Sequence, residues 1–160
     1  MKTLFILRHA KSSWNEPALD DFDRPLNDRG RRTAPLMGNL MKSKGFCPSV
    51  IVASPALRAR ETAEIVSESG EFEGDLVFDD RIYDAHPTTL VEVIKDVDRG
   101  HDSAMIVGHN PGMEALIHAL TGRIEVMPTG ALAVIELNAD SWVDVVHGGG
   151  TLRTVFRPKN

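Results

Sequence analysis

A chain of 160 residues, 42% hydrophobic and 26% charged, has the balance of a globular protein with one ordinary core, and residues 1–160 read as one domain. No apolar run approaches the roughly 20 residues that a membrane span needs, and the net charge of −5 argues against general nucleic-acid binding, which wants a basic face. The basic residues are unevenly spread, with Arg24, Arg29, Arg31 and Arg32 close together, a pattern suited to holding a small anion without adhering to polyanions.

The opening residues resemble a secretory signal only briefly, because the short apolar stretch at 4–7 runs straight into Arg8-His9-Ala10-Lys11. Residues 3–7 are therefore expected to form a buried strand. The single cysteine, Cys47, allows no internal disulfide and fits a reducing compartment, so the cytoplasm is the expected location. Residues 10–28 make a polar loop with two prolines, four aspartates and Trp14, too long to be idle connection. Asn27 or Asp28 can cap a helix running to about Lys44, with Leu36, Leu40 and Met41 at helical spacing and Gly45 as its stop. Pro35 inside that stretch predicts a kink or a later start. Residues 50–53 read as a second buried strand. Ser54-Pro55 then opens a helix, with serine as N-cap and proline at the first helical position, and Gly70 closes it. A third strand is expected at 76–78. Thr88 or Thr89 caps a helix with Leu90, Val91, Val93, Ile94 and Val97 on one face, and 104–107 form a fourth strand. Gly108-His109-Asn110-Pro111-Gly112 turns into a helix over about 113–121, and closing strands are expected near 131–137, 142–147 and 151–156. Strand and helix alternate over most of the chain, which predicts an α/β fold: a mostly parallel sheet, helices on both faces, and antiparallel strands at the C-terminal end.

In open α/β sheets, sites form outside the carboxyl ends of the strands. Three such ends matter here: Arg8-His9 after the first strand, Ser54-Pro55 leading to Arg58 after the second, and Gly108-His109 after the fourth. If those strands are neighbours, two arginines and two histidines meet at one spot. Unpaired buried cations are costly, so such a cluster needs an anion. A phosphoryl group fits, because guanidinium forks match its oxygens two at a time. An imidazole attacks phosphorus only as the neutral base, and nearby arginines lower its pKa and keep it neutral. The histidines show no tight metal-ligand spacing, so neither metal nor other cofactor is expected.

Leu7-Arg8-His9-Ala10 resembles the Arg-His-Gly signature of the histidine phosphatase superfamily, with its phosphoglycerate-mutase-like fold. The run Arg8-His9-Ala10-Lys11-Ser12-Ser13-Trp14 is similar to the small SixA-type phosphohistidine phosphatase branch. Arg24-Pro25-Leu26 with Gly30, then Ser54-Pro55-Ala56-Leu57-Arg58-Ala59 with Thr62-Ala63, then Gly108-His109-Asn110-Pro111 follow in the family's order. The resemblance thus spans almost the whole chain. It implies that His9 is the nucleophile and is phosphorylated in turnover, while Arg8, Arg58 and His109 hold the phosphoryl oxygens. Ser12 and Asn15 fall where the wider family often places further phosphate contacts. Ala10 departs from the common glycine, which is harmless where the backbone φ is negative.

Several residues keep two readings. Arg58 and Arg60 point to different faces of their helix, so one should enter the pocket, and the motif favours Arg58. Arg24 serves either the phosphate or the neutralisation of Asp20, Asp21 and Asp23, and Trp14 either packs the loop or touches substrate. Asp84, after the third strand, is the nearest carboxylate for protonating a leaving oxygen, its alternative being a turn-forming aspartate. The leaving nitrogen of a phosphohistidine can carry its own proton, so a site without a strong acid favours phosphoramidates. The 50 residues between Arg58 and His109 are consumed by a helix end, a strand, a turn and another helix, which leaves nothing for a lid. An uncovered pocket admits a phosphorylated side chain standing on another protein. The expected activity is that of a metal-independent phosphatase on protein phosphohistidine. Its rivals are a small-molecule phosphomonoesterase of the same superfamily and, in another class, a non-catalytic module that binds phosphoproteins.

Overall fold

The computed structural model describes residues 1–159. β1 (Lys2–Arg8), β2 (Val50–Ala53) and β4 (Ser103–Gly108) are nearly continuous apolar runs, the pattern of parallel strands covered on both faces. With β3 (Asp75–Phe78), β5 (Leu132–Leu137) and β6 (Gly150–Phe156) they form a six-stranded sheet in the order β3-β2-β4-β1-β5-β6. β3, β2, β4 and β1 run parallel, β5 is antiparallel to β1, and β6 is antiparallel to β5. Alternation along β1 divides the core. Leu4 and Ile6 pack under α3 (Pro87–Lys95) and α4 (Gly112–Thr121), while Phe5 and Leu7 pack under α1 (Asp28–Ser43) and α2 (Leu57–Ser69). The result is the expected three-layer α/β architecture. No helix among the described residues is long and apolar enough to cross a membrane.

Asn27 caps α1 as expected, accepting from the Gly30 amide at 2.9 Å, and the helix starts at Asp28, so Pro35 lies within it and does not delay its start. Three other details depart from the sequence reading. α2 begins at Leu57 with Ala56 as its N-cap rather than at Pro55, and Ser54 Oγ bonds the Ala56 amide just ahead of it as well as His109. α3 starts at Pro87, whose fixed φ suits a first helical position, one residue before Thr88. Residues 142–147 form no strand. Trp142–Asp144 is a short 3-10 turn that drives the Trp142 ring into the core, where its indole N–H donates to the His101 carbonyl at 2.8 Å. Burial of that ring outweighs the extended pattern of its neighbours.

The register positions the site. Arg8 pairs with Gly108 and Ala53 pairs with Val107, so three neighbouring strands end at one level. They deliver His9, Ser54 and His109 side by side at the carboxyl edge of the sheet, where the His9 amide donates to the Gly108 carbonyl and the Ser54 amide to the Val107 carbonyl, each at 3.0 Å.

Candidate active site

Beyond these strand ends lies a cleft of about 470 Å³, lined among others by Arg8, His9, Ser12, Arg24, Arg58, Asp84 and His109. His9 is buried at its floor. Its Nδ1 lies 2.7 Å from the Ala10 carbonyl, an acceptor only, so Nδ1 carries the proton and Nε2 keeps the lone pair. Burial pushes the His9 pKa down to about 3. The hydrogen bond to Ala10 opposes that shift, and His109, Arg58 and Arg8 add to it. The ring is therefore a neutral, tautomerically fixed base at neutral pH. Outside glycine, positive φ occurs among the described residues only at Glu71 and Asp84, so Ala10 stands in for glycine without strain.

The phosphate-binding candidates are tied to this floor by backbone. The Ala10 amide donates to Thr62 Oγ1 at 3.0 Å, and that hydroxyl donates to the Arg58 carbonyl at 2.7 Å, all in buried surroundings. Arg8 Nη1 donates to the Met127 carbonyl at 2.9 Å. Glu114 holds that loop by accepting from the Met127 amide at 3.0 Å and from Asn110 Nδ2 at 2.6 Å. Arg58 is buried, whereas Arg60 is exposed and faces Glu64 at 3.9 Å, so Arg58 is the one of the pair that enters the cleft. Three buried side-chain polar atoms lack a partner among the described residues: Arg8 Nε, Arg58 Nε and His109 Nδ1. All belong to side chains lining the cleft.

His109 pairs with Ser54. His109 Nε2 lies 2.8 Å from Ser54 Oγ, which also accepts from the Ala56 amide at 3.2 Å. Burial, with Arg58 next in weight and Asp21 opposing, holds the His109 pKa down at about 4, so the ring is neutral. If Nε2 carried the proton, the hydroxyl proton of the fully buried Ser54 would have no acceptor among these partners. In the tautomer that accepts from Ser54 at Nε2, His109 carries Nδ1–H. His9 offers a lone pair while His109, 5.1 Å away ring to ring, offers a donor.

Asp21 organises the opposite wall. Its carboxylate accepts from Arg58 Nη2 at 3.0 Å, from Arg24 Nε at 3.2 Å and from the Tyr83 hydroxyl at 2.7 Å. Burial alone would raise its pKa, but the Tyr83 and Arg58 hydrogen bonds prevail and hold it at about 2. Arg24 neutralises Asp21, one of its two sequence readings, and its Nη1 donates to Ser12 Oγ at 2.9 Å, leaving the Ser12 hydroxyl proton available to the cleft. Trp14 stays largely exposed with the Arg24 guanidinium 3.5 Å from its ring centre, and it also lines the cleft. Asp84 is an exposed residue of the cleft with φ +52. Asn15 is exposed and lies outside the cleft lining, so the structure does not bring it to the site. Sequence reasoning passed over Asp21, Tyr83, Lys11 and Thr129, all of which line the cleft, and the task of Ser54. The only advance signal for Asp21 was the density of aspartates in an over-long loop.

A neutral, oriented imidazole among arginine, histidine and serine donors at the edge of a parallel sheet is a centre built for phosphoryl transfer. A profile of the histidine phosphatase superfamily (branch 1) matches residues 4–86, and the chain belongs to that superfamily and is a phosphatase. The fold superposes on the Agrobacterium tumefaciens protein assigned as phosphohistidine phosphatase SixA with a TM-score of 0.85, at 30% identity and over 98% of both chains. An uncharacterized protein of Mycobacterium tuberculosis is 32% identical over 157 residues, covering 91% of this chain and 96% of its own. A chloroplastic protein of Arabidopsis thaliana is 29% identical over 170 residues, covering 98% of this chain and 78% of its own.

Proposed function

We propose that this phosphatase hydrolyses phosphohistidine on proteins through a phosphorylated intermediate on His9. The observation that carries the reading is the fixed tautomer of a buried, neutral His9, whose Nδ1–H is spent on Ala10 so that Nε2 faces the reacting group. The Nε2 lone pair attacks phosphorus, and the bond to the substrate's leaving nitrogen breaks. Water then attacks phospho-His9, releasing inorganic phosphate and restoring the imidazole. Arg8, Arg58 and His109 Nδ1–H offset charge on the transferring group, with Ser12 as a further donor. Residues 1–160 act as one domain in this reading, without a metal, in the cytoplasm, and with a phosphorylated protein as partner rather than nucleic acid or membrane.

The choice of substrate rests on the carboxylates. Asp21 lines the cleft but is committed to two arginines and held at a pKa of about 2, so it has no proton to give. Asp84 stands exposed at the cleft. A leaving nitrogen that arrives with its own proton suits such a site, and a leaving alkoxide does not. The assignment of the 30%-identical Agrobacterium protein agrees with this. Initial rates on a phosphohistidine peptide, a phosphoserine peptide and small sugar phosphates test it. Phosphohistidine should lead in kcat/KM. A sugar phosphate in first place would replace the reading with that of a small-molecule phosphomonoesterase using Asp84 as its acid.

A further inference from the structure

Beside the catalytic cleft lies a second cavity of about 320 Å³, which shares Arg8, Lys11 and Thr129 with it and is completed by Arg29, Thr33, Pro128 and Pro158. Three cationic side chains and two threonines thus line one recess in a protein whose net charge is −5. Arg29 and Thr33 stand one turn apart on α1, so they share a face of that helix. The chemistry ascribed to His9 uses neither of them, nor Lys11.

The recess is held at a set distance from the nucleophile. The Gly130 amide donates to both the Arg8 carbonyl, at 3.1 Å, and the His9 carbonyl, at 2.9 Å, from a backbone with φ +79 that favours glycine. That contact ties the Pro128–Thr129 wall to the end of β1. On the other side the Asn27 amide donates to the Lys11 carbonyl at 3.0 Å, and a Cβ on Gly30 would lie 2.2 Å from that same oxygen. The first turn of α1, with Arg29 on it, is therefore pressed against the Lys11 backbone. Ammonium and guanidinium donors gathered at a fixed offset from a phosphate site match a second anion.

We propose that this recess binds a second anionic group of the substrate, a carboxylate or a phosphate, joined by a short link to the part that bears the transferred phosphoryl. The proposal rests on the reading of the cleft as a phosphoryl-transfer site. On a protein substrate the group is an acidic side chain flanking the phosphohistidine. On a small molecule it is a second phosphate.

The test compares kcat/KM within two substrate pairs. One pair is phosphohistidine peptides differing only by Glu or Gln beside the phosphohistidine, and the other is a sugar bisphosphate and the matching monophosphate. In the wild type the anionic member of one pair should be favoured by about tenfold, as expected for charge-assisted hydrogen bonds. Arg29→Gln and, as an independent second variant, Lys11→Gln should each bring that ratio down toward one. A preference confined to the peptide pair supports the recess and the protein substrate together. A preference confined to the sugar pair supports the recess and overturns the protein substrate. Ratios near one in both pairs for an active wild-type enzyme overturn the recess and leave the phosphatase reading standing.

Discussion

The neutrality of His9 has a cost that can be measured without any substrate. In the unfolded chain the ring takes a proton near its ordinary pKa of 6.5, whereas burial, against the Ala10 bond and aided by His109, Arg58 and Arg8, delays that to about 3 in the folded protein. The native state thus binds fewer protons than the unfolded state between these values. Stability associated with the neutral ring is whole above pH 6.5 and declines as pH falls through the window down to about 3, at roughly 1.36 kcal/mol per unit. From pH 6.5 to 5.0 the decline attributable to His9 is about 2 kcal/mol. Other groups also titrate there, so the wild type must be compared with His9→Gln, which cannot be protonated. Denaturant unfolding of both proteins at pH 7.5 and pH 5.0 should show the wild type losing about 2 kcal/mol more than the variant. Equal losses would refute a buried, neutral His9, and with it the account of the nucleophile.

Brief mixing with a labelled phosphodonor should trap an acid-labile, base-stable phosphoenzyme in the wild type and none in His9→Ala; label retained by the variant would move the nucleophile elsewhere. Ser54→Ala releases the tautomer of His109 and strands the Ala56 amide, so kcat should fall about tenfold and stability by about 1–3 kcal/mol, read by steady-state kinetics and denaturant unfolding. Asp84→Asn should slow phosphomonoester hydrolysis more than phosphohistidine hydrolysis; an equal loss on both would make Asp84 an acid for every leaving group. Turnover should persist after prolonged dialysis against a chelator, and loss reversed by a divalent cation would show that the site works through a metal.

The side chains with the strongest claim on the chemistry were legible because they sit where strands end. Arg8-His9, Arg58 and Gly108-His109 each follow an apolar run whose burial on both faces could be read locally, and adjacency of β1, β4 and β2 then brought them together. What stayed hidden depends on distant pairing. Asp21 meets Arg58 across 37 positions and Tyr83 across 62, inside a loop with no periodicity to anchor its path. Ser54 carried a local signal for a helix cap and its Oγ accepts from the Ala56 amide, but its contact with His109, 55 positions away, has no local signal. Asn15 shows the converse, since a family position transferred onto a loop does not fix where that loop runs. The missing strand at 142–147 failed for a similar reason: alternation suits a strand, yet one tryptophan gains more by filling the core than by pairing its backbone.

The Thr62 hydroxyl, bridging the Ala10 amide and the Arg58 carbonyl, acts as a tie rod between the end of β1 and the first turn of α2. Its span bypasses the whole 11–26 loop, so the backbone spacing of His9 to Arg58 is set there, while Asp21 on that loop aims the Arg58 guanidinium. The loop, with Trp14 and Phe22 partly exposed on it, can change at those positions to meet a new partner while Ser12, Asp21 and Arg24 keep the dimensions of the reaction centre. Recognition and chemistry are in this way separately tunable. Exchanging the exposed residues of the loop between relatives, with Ser12, Asp21 and Arg24 kept, should transfer partner preference without rebuilding the phosphoryl-transfer site.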